Sequence, residues 1–443
     1  GAGSALWMST FAFTACFAVW TIFSIIGVQI KQDLGLSEAQ FGLLAGTPIL
    51  TGSLVRVLLG VWTDQYGGRL VNLMVMLSAA LATFLLSYAH TYPQFLIAAL
   101  GVGMAGGSFA VGIAYVSKFF PKEKQGTALG IFGAGNVGAA VTKFAAPFVM
   151  IAFGWQSVAQ IWAVALAVIA VAFFLLTRDD PALVERRRTG AKPESTAMQF
   201  TPLMKLQVWR FSLYYFFVFG AFVALALWLP HYLVGVYGLN IKVAGMVAAA
   251  YSIPGSLFRV FGGWLSDRIG ARRVMYITFS VSAVCTFLLS YPPTSYVVAG
   301  VHGPISFHIA TSLGAFMVLL FCLGFAMSLG KAAVFKHIPV YYPANIGSVG
   351  GLVGLVGGLG GFILPITFGL LNDFTGVWTS CFMLLFVLVG SALTWMHFAI
   401  RRMERARTPE LSQLPELPEM SGLHPSPSSG PAPVAPAPVA AAG

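Results

Sequence analysis

The 443-residue chain is too apolar to be a water-soluble protein. Apolar residues make up 58% of it and charged residues only 9%, against about 25% charged residues in an ordinary soluble domain. This composition also excludes a disordered chain and, with only four cysteines, a disulfide-stabilised scaffold. The net charge of +11 is spread over many short polar segments rather than one patch, so we expect a membrane protein and no nucleic-acid partner.

Twelve segments are long and apolar enough to cross a lipid bilayer, since each crossing takes about 20 predominantly apolar residues. The first is too long and begins too early to be a removable signal peptide. The predicted spans are residues 5–29, 39–62, 70–89, 92–119, 125–153, 156–177, 208–234, 242–264, 273–291, 310–335, 345–372 and 377–400.

The distribution of polar segments divides this all-α membrane protein into two halves. The predicted units are a six-span half over 1–177, a cytoplasmic linker over 178–207, a second six-span half over 208–400 and a tail over 401–443. The tail is rich in Pro, Ala and Ser beyond Thr408, and it has too little apolar surface to fold, so we expect it to be disordered.

The lysines and arginines predict the orientation, because cationic loops are retained on the cytoplasmic side. With both termini cytoplasmic, the inner loops and the tail carry 19 of the 25 cationic residues. The outer loops carry only Lys31 and Lys242, and the other four cations lie inside spans. The sequence therefore predicts cytoplasmic termini.

An internal repeat relates the two halves. Residues 52–69 match residues 255–272 at nine of eighteen positions with a constant offset of 203. Each repeat resembles the loop motif of the major facilitator superfamily, which implies twelve transmembrane helices in two pseudo-symmetric halves and alternating access between them. The acidic and basic motif residues are expected to pair and latch a gate at the cytoplasmic end; they are Asp64, Arg69, Asp267 and Arg272.

Four cations lie inside predicted spans, where each costs about 3 kcal/mol or more if it faces lipid. They are Arg56, Lys143, Arg259 and Lys331, and all fourteen carboxylates fall in loops, span ends or the tail. The missing partner is therefore predicted to be a mobile anion. Arg56 and Arg259 are equivalent positions of the repeat, and each lies about 12 Å along its helix from the motif aspartate. Because they lie at the same depth in the two halves, we expect them to face each other. The alternative is that both side chains snorkel to the cytoplasmic interface. Two guanidinium groups suit a small planar oxyanion.

Glycine-rich stretches occupy spans 5 and 11, over residues 126–138 and 347–361. Small residues at this spacing allow helices to approach closely. Together with the preceding residues 119–122 and 341–343, these stretches resemble the paired signature of the nitrate/nitrite porter family, the NarK-type branch of the superfamily, over residues 5–400. The glycines expected to act in gating are Gly135, Gly138, Gly357 and Gly358.

The resemblance implies a nitrate site between the halves, with Arg56 and Arg259 as the substrate arginines and Asn136 as an amide donor. It also implies that Tyr215, Phe219 and Phe109 surround the anion, with aromatic rings on its faces and donors in its plane. For Asn136, Phe109 and Phe219 the alternative is ordinary packing. The family further implies a monomer in a bacterial inner membrane that needs no metal or other cofactor.

Two lysines are candidates for proton coupling. Aligning Pro121 with Pro343 places Lys331 opposite Phe109, and residues 330–334 resemble the branch of nitrate/proton symporters. A desolvated lysine near two arginines is expected to be neutral in the empty site and protonated beside nitrate, so that each ligand favours the other. Lys143 is the second candidate, and its alternative is a structural role at a span end.

Energetics limits how such a protein imports nitrate, because moving one negative charge inward costs about 2.3 kcal/mol per 100 mV. Nitrate/proton symport and nitrate/nitrite exchange both meet this cost, and symport is our leading hypothesis. Transport of another small anion, an anion channel and a non-transporting sensor or scaffold are further alternatives. We do not expect an enzyme, because the seven histidines are scattered and no nucleophile sits beside a base.

Overall fold

Helices make up most of the structure, a computed structural model that describes residues 1–190, 205–342 and 346–407. Twelve helical spans in this part of the chain are long and apolar enough to cross a membrane, which confirms the predicted number. Numbered 1 to 12, the spans are Ala2–Leu34, Glu38–Tyr66, Gly68–Leu86, Tyr92–Ser117, Lys124–Phe153, Trp155–Leu176, Leu206–Tyr237, Ile241–Ile269, Ala271–Leu289, Leu313–Ile338, Val349–Thr375 and Ser380–Ala406. The predicted disordered tail beyond residue 407 and residues 191–204 of the linker lie outside the described residues.

Local sequence signals explain where several spans begin and end. Ser37 starts span 2 with reciprocal hydrogen bonds to Gln40, of 3.2 Å and 2.9 Å, which satisfy two free backbone donors. Spans 2 and 8 end at Gly67 and Gly270, the equivalent glycines of the repeat. Both have positive φ, 89° and 95°, a conformation that favours glycine, so each supplies a tight turn after its span.

Four spans are interrupted close to predicted site residues. Span 2 breaks at Val55, between Glu38–Leu54 and Arg56–Tyr66. The other interruptions are short segments with tighter or wider hydrogen bonding, which are common at functional sites. Span 4 consists of Tyr92–Val102, the 3₁₀ segment Gly103–Gly107 and Ser108–Ser117. Span 5 consists of Lys122–Gly133, the 3₁₀ segment Ala134–Val137 and Gly138–Phe153. Span 7 consists of Leu206–Tyr215, the π segment Phe216–Ala221 and Phe222–Tyr237.

The first span is also interrupted, and the linker contains a short helix. Span 1 consists of Ala2–Trp20 and Phe23–Leu34. The predicted linker begins with a short helix, Pro181–Thr189, which Asp180 caps through a 2.8 Å hydrogen bond from the Leu183 amide. The remaining helices run over Leu313–Tyr341, Ile346–Thr375 and Ser380–Arg407 around spans 10, 11 and 12.

An antiparallel β-hairpin departs from the all-helical prediction. Its strands, β1 (Thr294–Gly300) and β2 (Gly303–Ile309), join spans 9 and 10 and pair from Thr294–Ile309 to Gly300–Gly303. The strands are largely exposed, so they add little to the core. We call this end of the molecule the hairpin end, and the opposite end, which carries Asp64 and Asp267, the motif end.

The two halves meet along spans 2 and 11 and along spans 5 and 8. Near the hairpin end, a methyl group added at Gly42 would lie 2.4 Å from the Pro365 carbonyl oxygen, and one at Gly46 would lie 2.9 Å from that of Phe362. Glycine is therefore required for the backbones of spans 2 and 11 to approach this closely. The hairpin end is closed by this packing.

Candidate anion-binding site

Arg56 lies at the contact between the halves, at the first position after the break in span 2. Its side chain is buried, and two of its nitrogens are held by backbone carbonyls. Nη1 donates to Gly354 of span 11 at 2.8 Å, and Nε donates to Gly106 at 3.4 Å. The Gly106 carbonyl belongs to the 3₁₀ segment of span 4, so this irregular segment helps to orient the guanidinium group.

Arg259 is the repeat equivalent of Arg56 and is also buried, in the middle of span 8. Its Nη2 lies 3.4 Å from the hydroxyl oxygen of Tyr215 on span 7. Both guanidinium groups face the same aromatic ring, because their central carbons lie 4.8 Å (Arg56) and 5.5 Å (Arg259) from the centroid of Phe109. The structure therefore brings together the two arginines that the repeat singled out.

Aromatic rings enclose this pair of arginines. Phe219 stacks on Tyr215 with centroids 4.9 Å apart and nearly parallel planes, and it also lies 6.1 Å from Phe109. The Arg56 guanidinium is 5.2 Å from the Phe219 centroid. Such cation–π contacts stabilise a buried guanidinium without neutralising it. All three predicted aromatic residues thus belong to one cluster with both arginines.

Several buried polar atoms in this cluster have no hydrogen-bond partner among the described residues. They include Nη2 of Arg56, Nη1 of Arg259 and both amide atoms of Asn136. An unpaired buried polar atom costs about 1–3 kcal/mol, so native proteins rarely keep one without a reason. A planar anion between the arginines would accept hydrogen bonds from these N–H groups, and its negative charge would offset the two positive charges.

Asn136 belongs to the same region through the 3₁₀ segment of span 5. It is fully buried and follows Gly133 by three residues. A methyl group added at Gly133 would lie 2.3 Å from Nε of Arg259. The backbone of span 5 therefore packs directly against the Arg259 side chain, and Asn136 lies about one turn further along.

The four predicted gating glycines occupy two different contacts. An added methyl group at Gly357 would meet the Tyr215 ring at 2.2 Å, and one at Gly358 would lie 3.5 Å from Nη1 of Arg56. Gly135 and Gly138 instead pack against span 1 of their own half, at Phe13 and Thr14. Span 11 glycines thus border the site, whereas these two span 5 glycines support a contact within one half.

Lys331 is fully buried, but it does not lie opposite Phe109 as the alignment predicted. Its Nζ donates to the Gly255 carbonyl at 2.7 Å and lies 3.0 Å from the centroid of Phe222. The residue that faces Phe109 is Phe335, one helical turn further along span 10, at 5.6 Å between centroids. Because Gly255 precedes Arg259 by four residues, Lys331 lies beside the site rather than across it.

Lys143 is fully buried as well, and it connects the halves. Its Nζ donates to Oγ of Ser252 on span 8 at 2.9 Å. Ser252 and Gly255 are neighbouring turns of the same helix that carries Arg259. Both candidate lysines therefore bind span 8, and Lys143 does so from span 5 of the other half.

The motif aspartates pair with lysines rather than with the motif arginines as expected. Asp64 lies 2.8 Å from Lys118 Nζ, and Asp267 lies 2.6 Å from Lys336 Nζ. Arg69 donates to the Phe174 carbonyl at 2.8 Å, and Arg272 donates to the Tyr341 hydroxyl. Each aspartate therefore forms an ion pair within its own half near the end of its span. Its cationic partner lies directly after span 4 (Lys118) or in span 10 (Lys336).

Sequence reasoning missed two aromatic residues of the site. Trp20 lies 5.3 Å from the Arg56 guanidinium and donates its indole N–H to the Pro48 carbonyl at 2.7 Å. Phe335 lies 4.8 Å from Tyr215 and 5.9 Å from the Arg259 guanidinium. Neither stands out in a chain with 14% aromatic residues; the available signal was the position of Phe335 one turn after Lys331.

A small cavity of about 30 Å³ reaches Arg259 from the direction of the motif end. Its walls include Gln125 and Gly126 of span 5 and Phe335 and Lys336 of span 10. This volume holds about two water molecules. The site is therefore closed by tight packing toward the hairpin end and bordered by a narrow cavity toward the motif end.

Comparison with known proteins agrees with this architecture. The family described as Major Facilitator Superfamily matches residues 8–303 and 241–441. Two crystal structures of a bacterial homologue of the human lysosomal transporter Spinster, both inward-facing, superpose with TM-scores of 0.65 and 0.63 at 16% identity. They cover 89% and 90% of this chain, and this chain covers 96% and 97% of theirs. At this identity the similarity shows the fold alone.

Similarity of sequence identifies the family more narrowly. A protein of Thermus thermophilus named probable nitrate/nitrite antiporter NarK1 is 42% identical over 90% of this chain and 91% of its own length. The nitrite extrusion protein of Bacillus subtilis (strain 168) is 31% identical over 89% and 94%. A probable nitrate/nitrite transporter NarK2 of Mycobacterium tuberculosis is 32% identical over 84% and 90%. The chain is therefore a multi-pass membrane protein of the major facilitator superfamily and, within it, belongs to the family of NarK-type nitrate/nitrite transporters.

Proposed function

We propose that this protein imports nitrate across a bacterial inner membrane by alternating access and carries a proton with it. In this proposal the monomer has cytoplasmic termini, the motif end faces the cytoplasm and the hairpin end faces outward. The single observation that carries it is the pair of buried arginines around one aromatic ring, each with an N–H group that has no hydrogen-bond partner among the described residues.

The chemistry of the site favours nitrate over tetrahedral oxyanions. Nitrate is planar and singly charged, so Arg56, Arg259 and Asn136 can donate hydrogen bonds to its oxygens from within its plane. The rings of Phe109 and Phe219 can cover its faces. Phosphate and sulfate are tetrahedral and more highly charged, and their desolvation among buried rings costs more. The names of the relatives, which mention nitrate and nitrite, support the same choice.

The packing of the two halves supports alternating access. The arginines come from different halves, and each is contacted by a glycine of a span in the other half, Gly354 for Arg56 and Gly133 for Arg259. These glycines leave room for the helices to rock against one another. An anion that bridges the arginines joins the halves, so its binding and release are coupled to their relative motion.

Proton coupling is assigned to Lys331. Its Nζ donates to the Gly255 carbonyl of span 8, the helix that carries Arg259. Nitrate bound at Arg259 stabilises the ammonium form of a nearby lysine, so the Lys331 amine takes up a proton as nitrate binds and releases it as nitrate leaves. One proton carried with one nitrate makes import electroneutral, which removes the cost of moving the anion against the membrane potential. Lys143 is the alternative carrier.

Nitrate/nitrite exchange is the second candidate function. The Thermus relative is named as an antiporter, which favours it. Exchange is also electroneutral and needs no proton carrier. In that case Lys331 acts as a fixed charge that tunes the arginine site.

The proposal is tested by uptake of isotopically labelled nitrate into proteoliposomes that contain the purified protein. We expect saturable uptake that excess nitrite reduces and that equal concentrations of sulfate or phosphate leave unchanged. A variant with both Arg56→Gln and Arg259→Gln serves as the inactive control. Uptake that fails to saturate, or that sulfate and phosphate inhibit as well as nitrite, would contradict nitrate transport at this site.

A further inference from the structure

A carboxylate and an imidazole meet across the two halves at the hairpin end. Glu38, at the start of span 2, contacts Nε2 of His231, near the end of span 7, through Oε2. The His231 side chain is 11% exposed and that of Glu38 is 24% exposed. Among the ion pairs between described residues, this pair alone joins the first half to the second.

Aromatic rings hold the imidazole in place. The His231 ring lies 4.9 Å from Phe41, 5.1 Å from Trp228 and 5.0 Å from Trp378, measured between centroids. Phe41 belongs to the first half, whereas both tryptophans belong to the second. The histidine therefore sits in an aromatic box that both halves build, and separation of the halves removes one wall of the box.

Other charged groups near the pair belong to the same end. Lys31 Nζ lies 3.8 Å from Oε1 of Glu38. The carboxylate of Asp373, in span 11, accepts a 3.2 Å hydrogen bond from the backbone of Ala39, and the Tyr92 hydroxyl donates to the Gln40 carbonyl at 2.8 Å. Asp33 accepts a hydrogen bond from Gln29. Glu38 is thus the carboxylate that contacts the imidazole, and Lys31 is the fixed cation beside it.

We propose that Glu38 and His231 form a proton-binding site that holds the hairpin end closed. The inference rests on the alternating access of the proposed function. It adds a second proton site at the hairpin end, eighteen residues before Arg56 along span 2. The pair contacts only when the halves meet at this end, so opening must break it. A protonated imidazole pairs with the carboxylate more strongly than a neutral one does.

The direction of the effect follows from linkage. Because the protonated pair exists only in the closed state, protons bind that state better and shift the population toward it. Acid on this side therefore favours closure. For an importer driven by external protons, this promotes the step that follows loading from outside.

The test measures the distance between the halves by pulsed electron paramagnetic resonance. Spin labels are attached at Leu34→Cys and Phe374→Cys, exposed positions of the first and second halves at the hairpin end. Cys322 is replaced by alanine, whereas the other three cysteines are buried. The protein is measured in nanodiscs without nitrate between pH 8 and pH 5. The expected result is that the population with the short, closed distance rises about threefold relative to the open population as the pH falls. The effect is modest because a partly exposed ion pair contributes little free energy.

Single substitutions distinguish the contribution of the Glu38–His231 pair from that of the neighbouring Lys31. Glu38→Gln and His231→Gln should each remove the dependence on pH, and Lys31→Gln should keep it because the pair remains. The proposal would be overturned if the ratio of closed to open populations did not change with pH in the labelled protein that keeps Glu38 and His231. It would also be overturned if Glu38→Gln kept the full pH dependence of this ratio or if Lys31→Gln lost it. The measurement contains no nitrate, so failed nitrate uptake together with a normal pH response refutes only the proposed substrate.

Discussion

Replacing each site arginine by lysine tests whether the guanidinium geometry matters beyond its charge. Arg56 uses Nη1 and Nε to bind the carbonyls of Gly354 and Gly106, which leaves Nη2 for the anion. Arg259 binds the Tyr215 hydroxyl through Nη2 and leaves Nη1. Lysine has a single nitrogen on a flexible chain, so it cannot keep the anchoring contacts and the same donor position.

The magnitude follows from the loss of one charge-assisted hydrogen bond to the anion. Such a bond contributes about 1.5–3 kcal/mol, and each 1.4 kcal/mol changes an affinity about tenfold. Arg56→Lys and Arg259→Lys are therefore each expected to raise the nitrate dissociation constant roughly 10- to 100-fold. The binding constant is measured by isothermal titration calorimetry on purified protein, together with nitrate uptake into proteoliposomes.

Arg210→Lys is the matched control. Arg210 is another buried arginine, 6% exposed, whose guanidinium nitrogens lie 3.7 Å and 3.8 Å from the sulfur of Met403. This variant should bind nitrate within about twofold of the wild type, since it removes no donor from the site. Near-normal nitrate affinity in both Arg56→Lys and Arg259→Lys would refute the claim that fixed guanidinium donors recognise the anion.

Three further substitutions test the coupling, the site and the closed end. Lys331→Met should abolish the acceleration of uptake by an inward proton gradient and leave nitrate binding measurable by calorimetry; a gradient response equal to wild type would exclude Lys331 as the carrier. Gly133→Ala should raise the KM for nitrate about tenfold, because its methyl group would lie 2.3 Å from Nε of Arg259 and overpacking costs about 1–3 kcal/mol. Gly350→Ala is the control and should leave the KM unchanged, since its methyl group would have a nearest contact of 3.6 Å. Gly42→Ala should lengthen the distance between labels at the hairpin end, since its methyl group would lie 2.4 Å from the Pro365 carbonyl, and Gly60→Ala, with open space around it, is the control that should leave the distance unchanged.

The spans and the arginine pair could be predicted from the sequence because both rest on simple constraints. A bilayer crossing needs a long apolar run, and the repeat with its offset of 203 placed Arg56 and Arg259 at equivalent depths. The span-end glycines Gly67 and Gly270 are also equivalent positions of this repeat. These features are local or follow from symmetry, so no knowledge of packing was needed.

The irregular segments could not be predicted in this way. Whether Gly103–Gly107 forms a 3₁₀ or an α segment depends on its neighbours, here Trp20 and Pro48 packed against its glycines. The hairpin was not predicted, because its strands lie between two spans and lack the long apolar run that marks a membrane crossing. The position of Lys331 was wrong by about one turn, since an alignment of prolines at span ends does not fix the rotation of a helix.

The contacts between distant residues required the structure. Glu38 and His231 are 193 residues apart, and each reads as an ordinary polar residue at a span end. The lysine partners of Asp64 and Asp267 come from other spans, so the motif alone favoured the nearby arginines. In each case the sequence indicated the type of residue and the packing selected its partner.

The central claim is nitrate import driven by protons, and one measurement tests it most directly. Nitrate uptake into proteoliposomes is compared between an imposed inward proton gradient with a nitrite-free lumen and a nitrite-loaded lumen at equal pH on both sides. The account predicts that the proton gradient accelerates uptake without internal nitrite. Acceleration only by internal nitrite would contradict it and identify the protein as a nitrate/nitrite exchanger.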